Sequence, residues 1–181
     1  MSVLDDLKTL EKESLARTIP IIGSEKGTWL LHQVIKLQPR KVLELGTANG
    51  YSGCILGSEG AVLITIEKDA KIAEEAKENF KKFVVNAEVI VDDAIPALKD
   101  LLVDETNVES FDVIFIDCAK KVYNQVLDDC IKLVRVGGLI IADNISFEGC
   151  QDFKKHVFDH PSLRTDLVSI KDGLSCSEKI V

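Results

Sequence analysis

The pattern that most restricts the fold of this chain is an alternation of short, β-branched apolar runs with amphipathic stretches. The runs are Lys41–Leu45, Ala61–Ile66, Ala87–Val91, Phe111–Ile116 and Gly138–Ala142. Several are almost continuously apolar, as a strand must be when both of its faces are buried. Between them, Ala70 to Phe83 sets Ile72, Ala73, Ala76 and Phe80 on one helical face, and Tyr123 to Val134 carries a similar pattern. Strand–helix alternation over about 100 residues predicts a doubly wound α/β fold with a parallel sheet. The last segment changes character. After a helix near Gln151–Phe158, two pieces read as strands, Asp166–Ile170 and Leu174–Ile180, and Asp172-Gly173 between them reads as a hairpin turn. The expected sheet is therefore mostly parallel and ends in an antiparallel hairpin. The first forty residues read as helices packed against it, broken at Pro20 and Gly23.

Composition narrows the setting. At 181 residues and 46% hydrophobic content, the chain suits one compact domain, residues 1–181, with helices over 1–40 and a Rossmann-like core over 41–181. No apolar run reaches the roughly 18 residues that span a bilayer. The opening MSVLDDLKTLEKES has no apolar stretch of the signal-peptide kind, so a cytoplasmic protein without membrane attachment is expected. Five cysteines without a CxxC pair read as scattered reduced thiols. A net charge of −8 argues against nucleic acid as a partner and is compatible with a cationic ligand or a metal.

The first strand runs into Glu44-Leu45-Gly46-Thr47-Ala48-Asn49-Gly50-Tyr51-Ser52. A dinucleotide fingerprint would need glycine at position 48, and a P-loop would need Lys-Ser/Thr after the second glycine; the loop has neither. A carboxylate ahead of a glycine turn suits a ligand carrying ammonium and sulfonium charge, and it would repel a pyrophosphate. An ordinary turn with glycines for geometry is the alternative. The second strand ends at Glu67, about 20 residues past the loop, where an acid can accept both hydroxyl hydrogens of a ribose; a surface glutamate is the alternative. The third strand ends in Asp92-Asp93-Ala94, an edge that can meet an adenine amino group. Together the three strand ends outline a nucleoside-shaped crevice.

The fourth strand ends at Asp117, followed by Cys118, Ala119 and Lys120, and the fifth ends at Asp143-Asn144. Two carboxylates and an amide oxygen suit a hard divalent cation such as Mg²⁺. Capping or turn formation by the Asp143-Asn144 pair is an equal alternative on spacing alone. Lys120 reads as a solvated lysine or, beside a metal and a cationic cofactor, as a general base. The three histidines lack a ligand pattern, Trp29 reads as core, and nothing marks Cys118 as an activated thiolate.

These residues resemble the cation-dependent S-adenosylmethionine O-methyltransferases of the catechol and caffeoyl-CoA type. The resemblance runs from about Gly23 onward and is anchored in Gly23-Ser24-Glu25-Lys26-Gly27, ELGTANGYS, LITIEKDA, FIDCAK, IIADNISFEG and KDGLSCSEK. It implies a class I methyltransferase fold with a seven-stranded sheet, S-adenosylmethionine and Mg²⁺ or a similar cation as cofactors, and a small hydroxylated acceptor as substrate. It assigns Glu44, Gly46, Gly50, Tyr51 and Ser52 to the methionine moiety and loop and Glu67 to the ribose; Thr47 of the loop and Asp93 and Ala94 of the third strand end are counted with the cofactor site. Asp117 is counted with the cofactor site and, with Asp143 and Asn144, as a metal ligand; Lys120 takes the catalytic position. The short connection after Asn144 looks more like the catechol enzymes. Thr18 and Ala119 stand where those enzymes place aromatic residues around their substrate, a departure that bears on the acceptor. A homodimer is compatible with the reading. The rival readings are a non-catalytic module binding S-adenosylmethionine or another nucleoside, and an NAD-dependent oxidoreductase, against which the missing GxGxxG counts.

Overall fold

A computed structural model describes residues 2–181. Its strands are β1 (Lys41–Leu45), β2 (Val62–Glu67), β3 (Ala87–Val91), β4 (Phe111–Ile116), β5 (Val134–Asp143), β6 (Leu163–Val168) and β7 (Leu174–Lys179). They form one sheet in the order β3-β2-β1-β4-β5-β7-β6. The pairs among β1 to β5 are parallel, and β7 runs antiparallel to both β5 and β6. The mostly parallel sheet with an antiparallel end is the one expected.

The helices are α1 (Val3–Asp6), α2 (Lys8–Ala16), α3 (Gly23–Leu37), α4 (Tyr51–Leu56), α5 (Ala70–Lys82), α6 (Ala94–Val103), α7 (Tyr123–Leu133) and α8 (Gln151–Asp159). The apolar faces of α6, α7 and α8 pack on one side of the sheet around Leu43, Ile114, Ile116 and Ile140. Those of α2 to α5 pack on the other, around Val42, Leu63, Val113 and Phe115. Both faces of the central strands are thereby covered, which is why β4 is buried along its whole length. Helix α5 starts where Asp69 accepts the N–H groups of Lys71 and Ile72, and it ends with Lys81 and Lys82 against the carboxyl end of the helix dipole. None of the described helices is long and apolar enough to cross a membrane.

Two strand boundaries differ from expectation. β5 begins at Val134 directly out of α7, not at Gly138. Val134 pairs with Phe111, and the register then shifts before Val113 meets Leu139. The shift needs glycines: Gly137 has φ +76°, and a Cβ on Gly138 would lie 2.9 Å from the carbonyl oxygen of Asp112. Likewise β6 runs from Leu163 to Val168, starting three residues before the expected Asp166, because buried Leu163 pairs with Lys179. The helices α4 and α6 are too short, or too apolar all round, to show a clear period in the sequence.

Candidate active site

The carboxyl ends of five adjacent strands open onto one cavity of about 580 Å³. They supply the loop after β1, Glu67 of β2, Asp92 to Ala94 after β3, Asp117 after β4, and Asp143 and Asn144 at the end of β5. The strand order reverses between β1 and β4, the place where open α/β sheets bind ligands.

The loop takes its shape from three left-handed residues, Gly46, Ala48 and Gly50, with φ of 98°, 45° and 90°. A Cβ on Gly46 would lie 2.5 Å from the carbonyl oxygen of Asp117, so only glycine lets the end of β1 press against the end of β4. Ala48, where a dinucleotide fingerprint would use glycine, is held in its conformation by donating its N–H to Glu67 Oε2 at 2.9 Å. Glu67 Oε1 accepts the N–H of Asp69 at 3.0 Å. The carboxylate is thus oriented on the cavity wall with lone pairs to spare for a diol. Thr47, Tyr51 and Ser52 line the same end, and Asp93 and Ala94 line the far side.

Two residues expected at the cofactor lie behind the wall. Gly50 packs against Phe80, whose ring would be 3.1 Å from an added Cβ. Glu44 is fully buried and accepts hydrogen bonds from Ser52 Oγ at 2.5 Å and Thr65 Oγ1 at 2.6 Å. Thr65 also meets Thr47 Oγ1 at 2.5 Å. Burial pushes the Glu44 carboxyl up to about 8; the two hydroxyls oppose this, and the carboxylates of Asp117 and Glu67 reinforce it. Glu44 therefore acts on the loop from beneath, through Ser52, Thr65 and Thr47.

The other end of the cavity gathers the charged groups. Lys120 Nζ donates to Asp117 Oδ1 at 3.0 Å and to the Tyr123 hydroxyl at 2.8 Å. The buried Tyr123 hydroxyl in turn reaches the carbonyl oxygens of Ile116 at 3.0 Å and Asp143 at 3.2 Å, tying the ends of β4 and β5 together. Burial raises the Asp117 carboxyl to about 6, with Lys120 lowering it and the Asp143 carboxylate raising it. Asp143 is buried, and its Oδ1 accepts the N–H of Asn144 at 2.7 Å and a bond from the ammonium of Lys26. Asn144 is left-handed, with φ 57°. Its Nδ2 donates to Asp172 Oδ2, which settles the amide orientation: an acceptor carboxylate requires the NH₂ on that side, and Oδ1 is the atom left for a ligand.

Lys26, Asp172, Tyr123 and Phe147 were not singled out from the sequence. Lys26 enters the sequence reading only within the Gly23–Gly27 anchor and Asp172 only as a turn residue, and the fold brings both to the end of β5. Phe147 lines the cavity and is 48% exposed. It is the aromatic residue in the segment after Asp143-Asn144, a signal that was available. Ala119 also lines the cavity, together with Pro20, Ile21 and Val122, whereas Thr18 does not. Cys118 lies on the wall, but burial pushes its thiol up to about 12, away from nucleophilic use. The histidines do meet: His156 and His160 come together with Asp128, their ligating atoms all within 4.8 Å. His160 Nδ1, however, accepts the N–H of Ser162 at 3.2 Å, which leaves its proton on Nε2 and opposes metal ligation there.

A seven-stranded sheet in this order, with β7 antiparallel between β5 and β6, is the class I methyltransferase fold. A family model described as O-methyltransferase matches residues 2–180, and the chain belongs to that family. It is 32% identical over 155 residues to catechol O-methyltransferase B of Danio rerio, an alignment covering 80% of this chain and 57% of that protein. It is 35% identical over 153 residues to catechol O-methyltransferase of Niastella koreensis, covering 80% of this chain and 68% of that protein. The chain thus spans well under the full length of these relatives. Among solved structures, an O-methyltransferase from Bacillus cereus in complex with SAH superposes with a TM-score of 0.85 at 23% identity, covering 99% of this chain and 91% of the other.

Proposed function

We propose that this chain transfers the methyl group of S-adenosylmethionine to a hydroxyl of a small molecule, with the aid of a divalent cation such as Mg²⁺. The observation that carries the reading is the convergence of Asp117, Asp143, Asn144 and Lys120 on the cavity that also holds Glu67 and the β1 loop.

The residues present fit both groups. Glu67 and Asp93 toward one end and Asp117 toward the other give the cavity an anionic wall, which favours a sulfonium ligand, and the turn at Gly46 keeps backbone close to the cavity. Two carboxylates and a freed amide oxygen match the hard oxygen set of Mg²⁺. S-adenosylmethionine supplies an electrophilic methyl on a positively charged sulfur. A bound cation would supply Lewis acidity at the oxygens of Asp117, Asp143 and Asn144. The chain's own residues do the rest. Glu67 fixes the ribose. Lys120 Nζ, held by Asp117 and Tyr123, takes the acceptor's proton. Phe147, Pro20, Ile21 and Val122 exclude water from the acceptor, and Phe147 offers a ring face. Holding both reactants in attack geometry contributes much of the rate. Thr18 and Ala119 offer no aromatic flank, so Phe147 is the ring that grips the acceptor, from one side; the other aromatic on the wall, Tyr51, lies with the β1 loop.

The test is a screen of small hydroxylated acceptors with methyl-labelled cofactor, run in excess chelator and then with Mg²⁺ restored. Label transfer that requires the cation is expected. Transfer at full rate in chelator would remove the metal from the mechanism. Binding of S-adenosylhomocysteine without transfer to any acceptor would favour a non-catalytic module.

A further inference from the structure

Lys26 sits in the first turn of α3 with 2% of its surface exposed, an uncommon place for a lysine. Its ammonium bonds Asp143 Oδ1 and Asp172 Oδ1. Two carboxylates within ion-pair distance hold it as a paired ammonium. Asp172 bridges onward through its other oxygen to Asn144 Nδ2. The turn that carries Asp172 is itself fastened to the segment after β5, since Ser146 N–H donates to the Asp172 carbonyl at 3.0 Å and Ile145 N–H to the Gly173 carbonyl at 3.3 Å. One ammonium and one carboxylate therefore brace α3, the end of β5 and the β6–β7 turn against each other, at Asp143 and the Asn144 that follows it.

We infer that Lys26 is a positioning residue, an internal counter-cation that keeps Asp143 and Asn144 in ligand geometry when no divalent cation is bound. The inference rests on the metal reading of the site proposed above. Its logic is one of charge and orientation. Asp117, Asp143 and Asp172 bring three negative charges into a poorly solvated corner, where an unpaired carboxylate is unstable. Lys120 answers Asp117, and Lys26 answers the other two. The corner is thus assembled in advance, and an arriving cation meets a site already neutralised in part. Such a site holds its cation loosely and exchanges it readily. Asp172 has the complementary task, because it keeps the Asn144 carbonyl turned to the cavity and takes up the amide NH₂.

These two tasks give opposite signs, which a merely structural role would not. In Lys26→Met, Asp143 and Asp172 lose their cation. The protein should be less heat-stable in chelator, regain stability with Mn²⁺ more than wild type does, and bind Mn²⁺ at least about tenfold more tightly, because a nearby positive charge has gone. In Asp172→Asn, which keeps the side-chain volume, one oxygen remains for two donors; the Lys26 ammonium takes it, the NH₂ turned toward Asn144 Nδ2 cannot accept, and Mn²⁺ should bind at least about tenfold more weakly. Mn²⁺ affinity is read by electron paramagnetic resonance of the free ion, with no turnover required. Unchanged Mn²⁺ affinity in both variants, or weakening in both, overturns the role of Lys26. If Lys26→Met folds only with Mn²⁺ present, the inference is supported. If it folds under neither condition, Asp172→Asn decides, and unchanged affinity there overturns it. Wild type that binds no Mn²⁺, or binds it equally well as Asp117→Asn, fails the metal reading itself and this inference with it.

Discussion

Glu44→Gln should stabilise the protein at neutral pH, although it removes a buried residue with two hydrogen-bond partners. The Glu44 carboxyl is fully buried and its pKa is raised from 4.5 to about 8. An acid raised on folding weakens the folded state wherever the unfolded chain has already released the proton. Below the unfolded value both states hold the proton and nothing is lost. As pH rises from 4.5 toward 8, stability falls by about 1.4 kcal/mol per unit, so the penalty near pH 7 is roughly 3 kcal/mol and levels off above about 8. Glutamine is close to the neutral acid in shape. Its Oε1 can accept from Ser52 while its NH₂ donates to Thr65, whose own proton then turns to Thr47. The assay is urea unfolding of wild type and variant at several pH values between about 5 and 8. The gain should be small near pH 5, grow steadily, and reach roughly 2–4 kcal/mol near neutrality. Parallel curves for the two proteins would refute the reasoning, because they would mean that Glu44 is ionised in the folded state and supported by its hydroxyl partners.

Lys120→Ala should lower kcat by roughly 10²–10⁴ while S-adenosylhomocysteine affinity in calorimetry barely moves; turnover equal to wild type at every pH would strike Lys120 from the reaction. Glu67→Ala should weaken S-adenosylhomocysteine binding by roughly 1.5–3 kcal/mol through loss of a charged acceptor, with circular dichroism checking that the Ala48 and Asp69 N–H groups it serves have not unravelled the loop. Gly46→Ala should cost about 2–4 kcal/mol in denaturant unfolding, since φ 98° and a 2.5 Å approach to Asp117 oxygen both forbid a Cβ; a loss under about 1 kcal/mol would show that the β1–β4 junction yields easily.

The residues that sequence reasoning reached are those at which an apolar run stops. Glu67, Asp117 and Asp143 each follow a β-branched stretch, so their position on the sheet edge can be read locally, and the cavity does collect them. Glu44 escapes that logic by one residue. It lies within β1, before Leu45, and is buried under the loop, where it meets the hydroxyls of Ser52 and Thr65. Lys26 and Asp172 escape it altogether. A lysine in an amphipathic helix and an Asp-Gly turn each have a complete local explanation, and only packing across 146 residues gives them another. The early start of β5 was hidden for a related reason: Val134 to Gly138 reads as a helix end and a glycine turn until Phe111 is seen beside it.

The place of β7 between β5 and β6 also orders how the molecule is completed during translation. β6 leaves the ribosome before β7, yet it has no neighbour in the sheet except β7, so it must wait for a strand not yet made. Asp172 lies in the connection between them and can reach Lys26 and Asn144 only when both have docked. The end of the cavity lined by the β1 loop, Glu67 and Asp92 to Ala94 draws on β1, β2 and β3 alone. The charged corner is thus the part of the cavity that depends on the β6–β7 hairpin, where Lys26 bonds both Asp143 and Asp172.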